Sequence, residues 1–178
     1  MSGIYLGLGG NLGAVARTFG TALEHFERSE WLRVVSSSRL WRSPAWGFEG
    51  PDFLNAVVEI QTDRSPQRLL DDLLAYEVQC GRVRAGGMGS RPIDLDLLAW
   101  AGVVVDEPGL CLPHPGTPSR RFVLEPLHDI APQLCLAAGQ SVHQLVEQAR
   151  RDDARVSVVP GSGDWRAWST WSAELRAS

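Results

Sequence analysis

Cysteine is scarce in this chain, and what there is does not suggest pairing: Cys80, Cys111 and Cys135 are odd in number and none stands in a CxxC spacing. That argues against a disulfide frame or a zinc site and suits reduced thiols in a cytoplasmic protein. Long hydrophobic runs are missing as well. No stretch stays apolar for the ~20 residues that a membrane span needs, and the start lacks a basic segment followed by an apolar one, so no membrane partner is expected. Positive charge is not in excess either. Seventeen Lys and Arg against 21 Asp and Glu give a formal net charge of -4, which argues against nucleic acid as the main partner yet leaves room for a local basic pocket taking a polyanionic small molecule. No internal repeat divides the 178 residues, and with 44% of them hydrophobic the chain can bury one core.

What is present gathers around Arg91-Pro92-Ile93-Asp94-Leu95-Asp96-Leu97-Leu98. On a β-strand, Asp94 and Asp96 leave one face while Ile93, Leu95 and Leu97 enter a core on the other. Two neighbouring like charges on a half-buried strand raise each other's cost of ionisation unless cations lie beside them. Mg²⁺ takes carboxylate oxygens together with substrate phosphates, so one reading is a magnesium-phosphate site on a rigid strand. The same spacing also fits an edge strand whose polar face meets water.

The flanking pattern places this strand in a fold. Residues 4–8 read as a buried first strand that ends in a glycine turn, Gly9-Gly10-Asn11-Leu12-Gly13. The third glycine of that turn falls one residue late for a dinucleotide fingerprint, and no βαβ repeat follows. Val15, Phe19, Ala22, Leu23 and Phe26 recur at helical spacing over 14–28. A long strand is predicted over 32–43, a loop over 44–51 and a second strand over 53–60. Ser65-Pro66 caps a helix that stops near Gly81. A basic glycine-rich loop over 82–91 then leads into the acidic strand. The order is βαββαβ, the split βαβ or ferredoxin-like arrangement: an α+β sandwich with an antiparallel sheet, helices on one face and the site on the other. Short strands at 103–105 and 110–112, helices at 119–127 and 141–149, and a strand at 156–159 are predicted beyond it. Residues 1–159 form the domain. Residues 160–178 read as a linker and a tail whose Trp165, Trp168, Trp171 and Leu175 would share one side of a helix. That tail is expected to pack on the domain of a monomer, with a homodimer contact as the alternative.

Basic side chains surround the two acids in sequence: Arg82, Arg84 and Arg91 before, His114, Arg120 and Arg121 after. Arginine forks hold phosphate oxygens in one pose and absorb charge as a leaving group departs. A second group suits a flat ring. Asn55 offers donor and acceptor to a heterocycle edge, and Phe53 and Phe122 could sandwich it.

Together these segments resemble the 6-hydroxymethyl-7,8-dihydropterin pyrophosphokinase family. The resemblance rests on Tyr5 to Leu12, Ser43-Pro44 with Gly47, Pro51-Asp52-Phe53-Leu54-Asn55-Ala56, Glu77 with Gly81-Arg82-Val83-Arg84, the Arg91 to Leu98 strand, Pro113-His114-Pro115, and Arg120 to Leu127. It implies transfer of pyrophosphate from ATP, the co-substrate, to the pterin hydroxymethyl group with release of AMP. It also implies two Mg²⁺ ions on Asp94 and Asp96, and Arg82, Arg84, Arg91, His114 and Arg120 on the nucleotide, with Glu77 near its ribose. Of these, Arg82, Arg84, Arg91, Asp94 and Asp96 would do the chemistry. Ser43, Pro44, Trp46 and Asn55 would address the pterin, with Phe53 and Phe122 on its faces. Many members carry an aromatic residue just before the strand arginine, where this chain has Met88-Gly89-Ser90. The rival readings are a phosphotransferase acting on another alcohol and a catalytically silent binding module.

Overall fold

The computed structural model describes residues 3–82, 89–136, 139–152 and 155–171. Its first half runs β1 (Ile4–Gly10), α1 (Val15–Arg28), β2 (Leu32–Ser37), β3 (Trp41–Ser43), β4 (Phe53–Thr62), α2 (Pro66–Gln79) and β5 (Asp94–Trp100). The second half adds the hairpin β6 (Val105–Glu107) and β7 (Leu110–Leu112), α3 (Arg121–Ile130), α4 (Val142–Asp152) and β8 (Ser157–Val158), with 3₁₀ turns at Thr117–Ser119 and Trp165–Thr170. No helix among the described residues is long and apolar enough to cross a membrane.

The sheet is antiparallel, in the order β5-β1-β4-β3-β8, with β2 also on β4. The predicted 32–43 strand is two strands, because its middle amides leave the ladder. Arg39 N donates to Asp129 Oδ2 and Leu40 N to Ser162 Oγ, partners about ninety and more than a hundred residues away. A bulge between Val34 and Ser36 already twists the strand there. The predicted 103–105 strand starts later, at Val105, since Val103 only bridges back to Trp100.

Helices cover both faces. Ile4, Leu6 and Leu8 of β1 point to a core built with Phe19, Leu23 and Phe26 of α1 and Leu69 and Leu73 of α2. Ser65 caps α2 by accepting from Arg68 N, and Gly81 follows its end at φ 85°. Tyr5, Val57, Leu98 and Ala99 point the other way and bury against Leu124 and Leu127 of α3 and Leu145 and Val146 of α4. The expectation of helices on one face therefore covers only the first two. Those four sheet residues are apolar and need cover, and α3 and α4 supply it. Ser141 and Gln144 form a reciprocal capping box that starts α4. What α3 and α4 leave open on this face is a cleft.

Residues 160–163 are not a loose linker. Ser162 is fully buried, its Oγ donating to Val159 O while accepting from Leu40 N. Trp165 and Trp168 lie in the α1 core, Trp168 meeting Phe19 edge-on at 6.3 Å and donating from Nε1 to Ser162 O. The segment is 3₁₀ rather than α-helix. Its Trp spacing of three matches that helix's three residues per turn. Leu175 lies outside the described residues.

Candidate active site

Parity builds the cleft. Gly7 and Gly9 of β1 pair with Asp96 and Asp94 on β5 and with Val57 and Asn55 on β4. A side chain at Gly9 would project between Asp94 and Asn55, and one at Gly7 would press on Leu98; with none at either place, the strand forms a bare floor. Around that floor a cavity of about 120 Å³ is lined by Ser43, Pro44, Trp46, Phe48, Phe53, Asn55, Arg91, Asp94, Asp96, Arg120 and Phe122, among others. Both acids thus share one face and one cavity with Asn55. Glu77, Arg82 and His114 do not line it, and Arg84 lies outside the described residues.

At the acidic end, Arg82 bridges Glu77 and Asp94, its Nη1 lying 2.6 Å from Glu77 Oε2. Arg91 Nη2 reaches Asp94 Oδ2 at 2.6 Å. Glu77 is wholly buried and its Oε1 accepts from Leu95 N at 2.6 Å, so it fastens α2 to β5. Burial raises the Glu77 carboxyl, partly offset by the Leu95 amide and Arg82. Asp96 is raised too, first by burial and then by the charge of Asp94, against the pull of His114, Arg120 and Arg82. The Arg82 guanidinium is held above its ordinary value: burial works against it, and the charges of Asp94 and Glu77 outweigh burial. His114 is set in its loop by N–H donation to Leu98 O at 2.7 Å and by accepting at Nδ1 from Gly116 N.

At the other end, Asn55 donates through Nδ2 to Ser43 Oγ at 3.0 Å and to Trp41 O at 3.4 Å. Its Oδ1 is therefore turned to the Gly9 floor, 3.7 Å from where a Cβ would stand. The amide has spent its donors and keeps an acceptor for a ligand. Phe53 carries the Arg91 guanidinium over its ring at 5.4 Å and the Phe48 ring at its edge, 6.1 Å away and 83° inclined. Half-exposed Trp46 carries the Arg120 guanidinium at 5.6 Å.

Sequence reasoning missed Phe48 and the two floor glycines. The alternation of Leu6, Gly7, Leu8 and Gly9 is a period-two signal that could have revealed the floor; a loop phenylalanine gives none.

The donor set fits Mg²⁺. It consists of hard oxygens on one face of a rigid strand, and ionising both acids is costly without a cation. Among the described residues no group of three or more His, Cys, Asp or Glu could hold a metal by itself. Water and phosphate oxygens would complete the shell, which is how Mg²⁺ is usually bound.

Carboxylates and arginines at one end of a cleft, with an amide and aromatic rings at the other, define a protein able to hold an anionic chain beside a flat ring. The comparisons narrow that class. The family model described as 7,8-dihydro-6-hydroxymethylpterin-pyrophosphokinase (HPPK) matches residues 5–132, and the chain belongs to that family. It is 43% identical over 160 residues to the 2-amino-4-hydroxy-6-hydroxymethyldihydropteridine pyrophosphokinase of Methylorubrum extorquens, covering 89% of this chain and 99% of that one. The enzyme of the same name from Pseudomonas aeruginosa is 39% identical over 144 residues, covering 80% and 89%; that from Haemophilus influenzae is 35% identical over 145, covering 81% and 91%. Among solved structures, Plasmodium falciparum HPPK-DHPS with SDX-DHP has a TM-score of 0.65 at 14% identity over 89% of this chain. The chain spans about half, 49%, of that longer protein, and at such identity the likeness concerns the fold alone.

Proposed function

We propose that the chain transfers pyrophosphate from ATP to the hydroxymethyl group of 6-hydroxymethyl-7,8-dihydropterin, releasing AMP, a step of folate biosynthesis. The observation that supports this reading best is the single cavity shared by Asp94 and Asp96 with Asn55, Phe53 and Phe122, in a chain of the HPPK family. The pterin ring would lie on the glycine floor, its N–H edge on Asn55 Oδ1, its faces against Phe53 and Phe122, with Ser43, Pro44 and Trp46 at its rim. Arg91, Arg120, His114 and Arg82, with Arg84 from the basic loop, would take the triphosphate. Glu77 then serves the nucleotide indirectly, by holding Arg82. The hydroxymethyl oxygen would attack the β-phosphorus in line; the new O–P bond forms as the bond to the AMP oxygen breaks, and the hydroxyl proton is lost to water.

Asp94 and Asp96 would hold two Mg²⁺ ions, which supply Lewis-acid stabilisation of the phosphate oxygens. Arg82 and Arg91, which pair with Asp94, would serve the phosphates of ATP by the same guanidinium forks. The strand order β5-β1-β4-β3, with α1 and α2 on one face, supports the ferredoxin-like description, with residues 1–159 as the domain and 160–178 as an addition to it. Burial of Trp165 and Trp168 within the chain favours a monomer over a dimer joined through the tail. The free state of Cys80, Cys111 and Cys135 accords with a cytoplasmic site.

A coupled assay with ATP, Mg²⁺ and the hydroxymethyl pterin tests the reading. AMP should appear in step with the pyrophosphorylated pterin and vanish when a chelator removes the divalent ion. ADP as product, or no turnover of the pterin, would overturn it.

A further inference from the structure

Asn11, in the turn between β1 and α1, is 7% exposed and lines none of the cleft described above. Its amide nevertheless reaches both loops that frame the cleft. Nδ2 donates to Pro51 O at 3.1 Å and to Ser90 Oγ at 3.0 Å, and Oδ1 accepts from Arg91 N at 2.8 Å. The backbone adds two bonds, Asn11 N and Leu12 N both donating to Arg91 O, at 2.9 and 3.3 Å. Gly10 closes the approach. A Cβ there would stand 2.6 Å from Pro92 O, so the turn lies flat against the root of the basic loop. The two loops also meet directly, since a Cβ on Gly50 would fall 3.2 Å from Ser90 Oγ.

One loop carries Pro44, Trp46 and Phe48 at the ring end; the other ends in Arg91 at the acidic end. The distance between ring and phosphate groups is therefore set where the loops are joined. An amide is suited to this junction because it offers two donors and an acceptor in one plane, and each of these finds a partner here. Alanine would take away the partner of the Arg91 N–H, the Pro51 carbonyl and the Ser90 hydroxyl at a part-buried junction. Aspartate keeps the acceptor and loses both donors.

We propose that Asn11 is a positioning residue that joins the 44–52 loop to the 89–91 segment and so fixes the ring-binding groups at reacting distance from the phosphate-binding ones. The proposal rests on the pyrophosphokinase reading for its kinetic consequence, but the joint itself does not. Misplacement by about 1 Å costs up to about a hundredfold in rate, whereas each substrate alone still meets its own contacts. The expected signature is a fall in kcat with little change in KM.

The test uses the full chain and the variants Asn11→Asp, Asn11→Ala and Ser90→Ala. In amide hydrogen exchange without substrate, Asn11→Asp should loosen 44–52 and 89–91 together, while Ser90→Ala should loosen the second more than the first. In the AMP assay, Asn11→Asp should lower kcat about tenfold to a hundredfold with KM for ATP changed less than about threefold. Adding Ser90→Ala to Asn11→Ala should cost little more, because no polar side chain at position 11 then reaches Ser90. A folded Asn11→Asp with unchanged kcat, or with exchange raised in one loop alone, overturns the proposal. Should Asn11→Ala fail to fold, Asn11→Asp and Ser90→Ala decide. If the unaltered chain makes no AMP, the pyrophosphokinase reading fails, and the exchange experiment still decides whether Asn11 joins the loops.

Discussion

Asp96 is where function and stability part at the level of one residue. Burial and the charge of Asp94 hold its carboxyl above the ordinary value, so the folded state binds that proton more tightly than the unfolded chain does. Stability then falls as pH rises from the unfolded-state value near 3.8 through the higher folded-state value, and stays reduced above it. Asp96→Asn removes this cost while keeping the shape. It should raise Tm at neutral pH, with the advantage disappearing on acidification below the unfolded-state value, and thermal melts across pH will show it. On the proposed reading Asp96 would be a Mg²⁺ ligand, and turnover should meanwhile drop at least about a hundredfold, because its loss would forfeit several kcal/mol of charge stabilisation. Near-normal AMP release by this variant would refute the assignment of the acid. The guanidiniums of Arg82 and Arg91 offset the charge of the pair at Asp94. The chain contains no lysine, so every fixed positive charge beside Asp94 is a guanidinium, able to fork between a carboxylate here and a phosphate later. The acidic pair was legible in the sequence because a spacing of two on a strand fixes the face. The Asn55 environment was legible only in part: its parity was plain, but that Ser43 and Trp41 take its donors depends on β3 lying beside β4.

At the level of elements, β1 shapes the cleft by what it lacks. Gly9 has an ordinary strand conformation and room for a Cβ at 3.7 Å from Asn55 Oδ1 and 3.8 Å from Asp94 Cβ. Gly9→Val should therefore fold, valine being at ease in a strand, while its methyl groups occupy the floor. We expect KM for the pterin to rise about tenfold or more with a nearly unchanged circular dichroism spectrum; an unaltered KM would show that the ring lies elsewhere. Strand and helix existence followed from periodicity and caps, as in α2, where Ser65, Pro66 and Gly81 mark both ends. Periodicity could not reveal the break between β2 and β3. Its causes are Asp129 on α3, which takes the Arg39 amide and the Trp41 indole N–H, and Ser162. Nor could it say which face α3 and α4 would cover, because each helix shows only that it has an apolar side.

The whole molecule is closed by its last described segment, and Gly20 is the point at which this closure can be tested. In the middle of α1, glycine costs about 1 kcal/mol of helix stability relative to alanine, so Gly20→Ala ought to stabilise the chain if the helix stood alone. The 3₁₀ segment is packed so closely that a Cβ at Gly20 would collide with Ser169 N and lie 2.8 Å from Ser169 Cα. These are backbone atoms that no side-chain rotation can move, so either the segment lifts or the helix shifts. Gly20→Ala should accordingly lower Tm despite the better helix former, and shift tryptophan emission to longer wavelength as Trp165 and Trp168 meet water. Deleting residues 161–178 removes those two indoles and the Ser162 hydroxyl that satisfies Leu40 N. Loss of one buried Trp costs about 3–5 kcal/mol, and at about 2–4 °C per kcal/mol for a chain of this size the truncated protein should melt at least about 6 °C lower. The cleft lies on the opposite face of the sheet from α1 and this segment, so below the melting point both variants should retain most of their AMP-forming activity. A truncated chain that remains folded yet is inactive would show that the tail serves the site and not only the core.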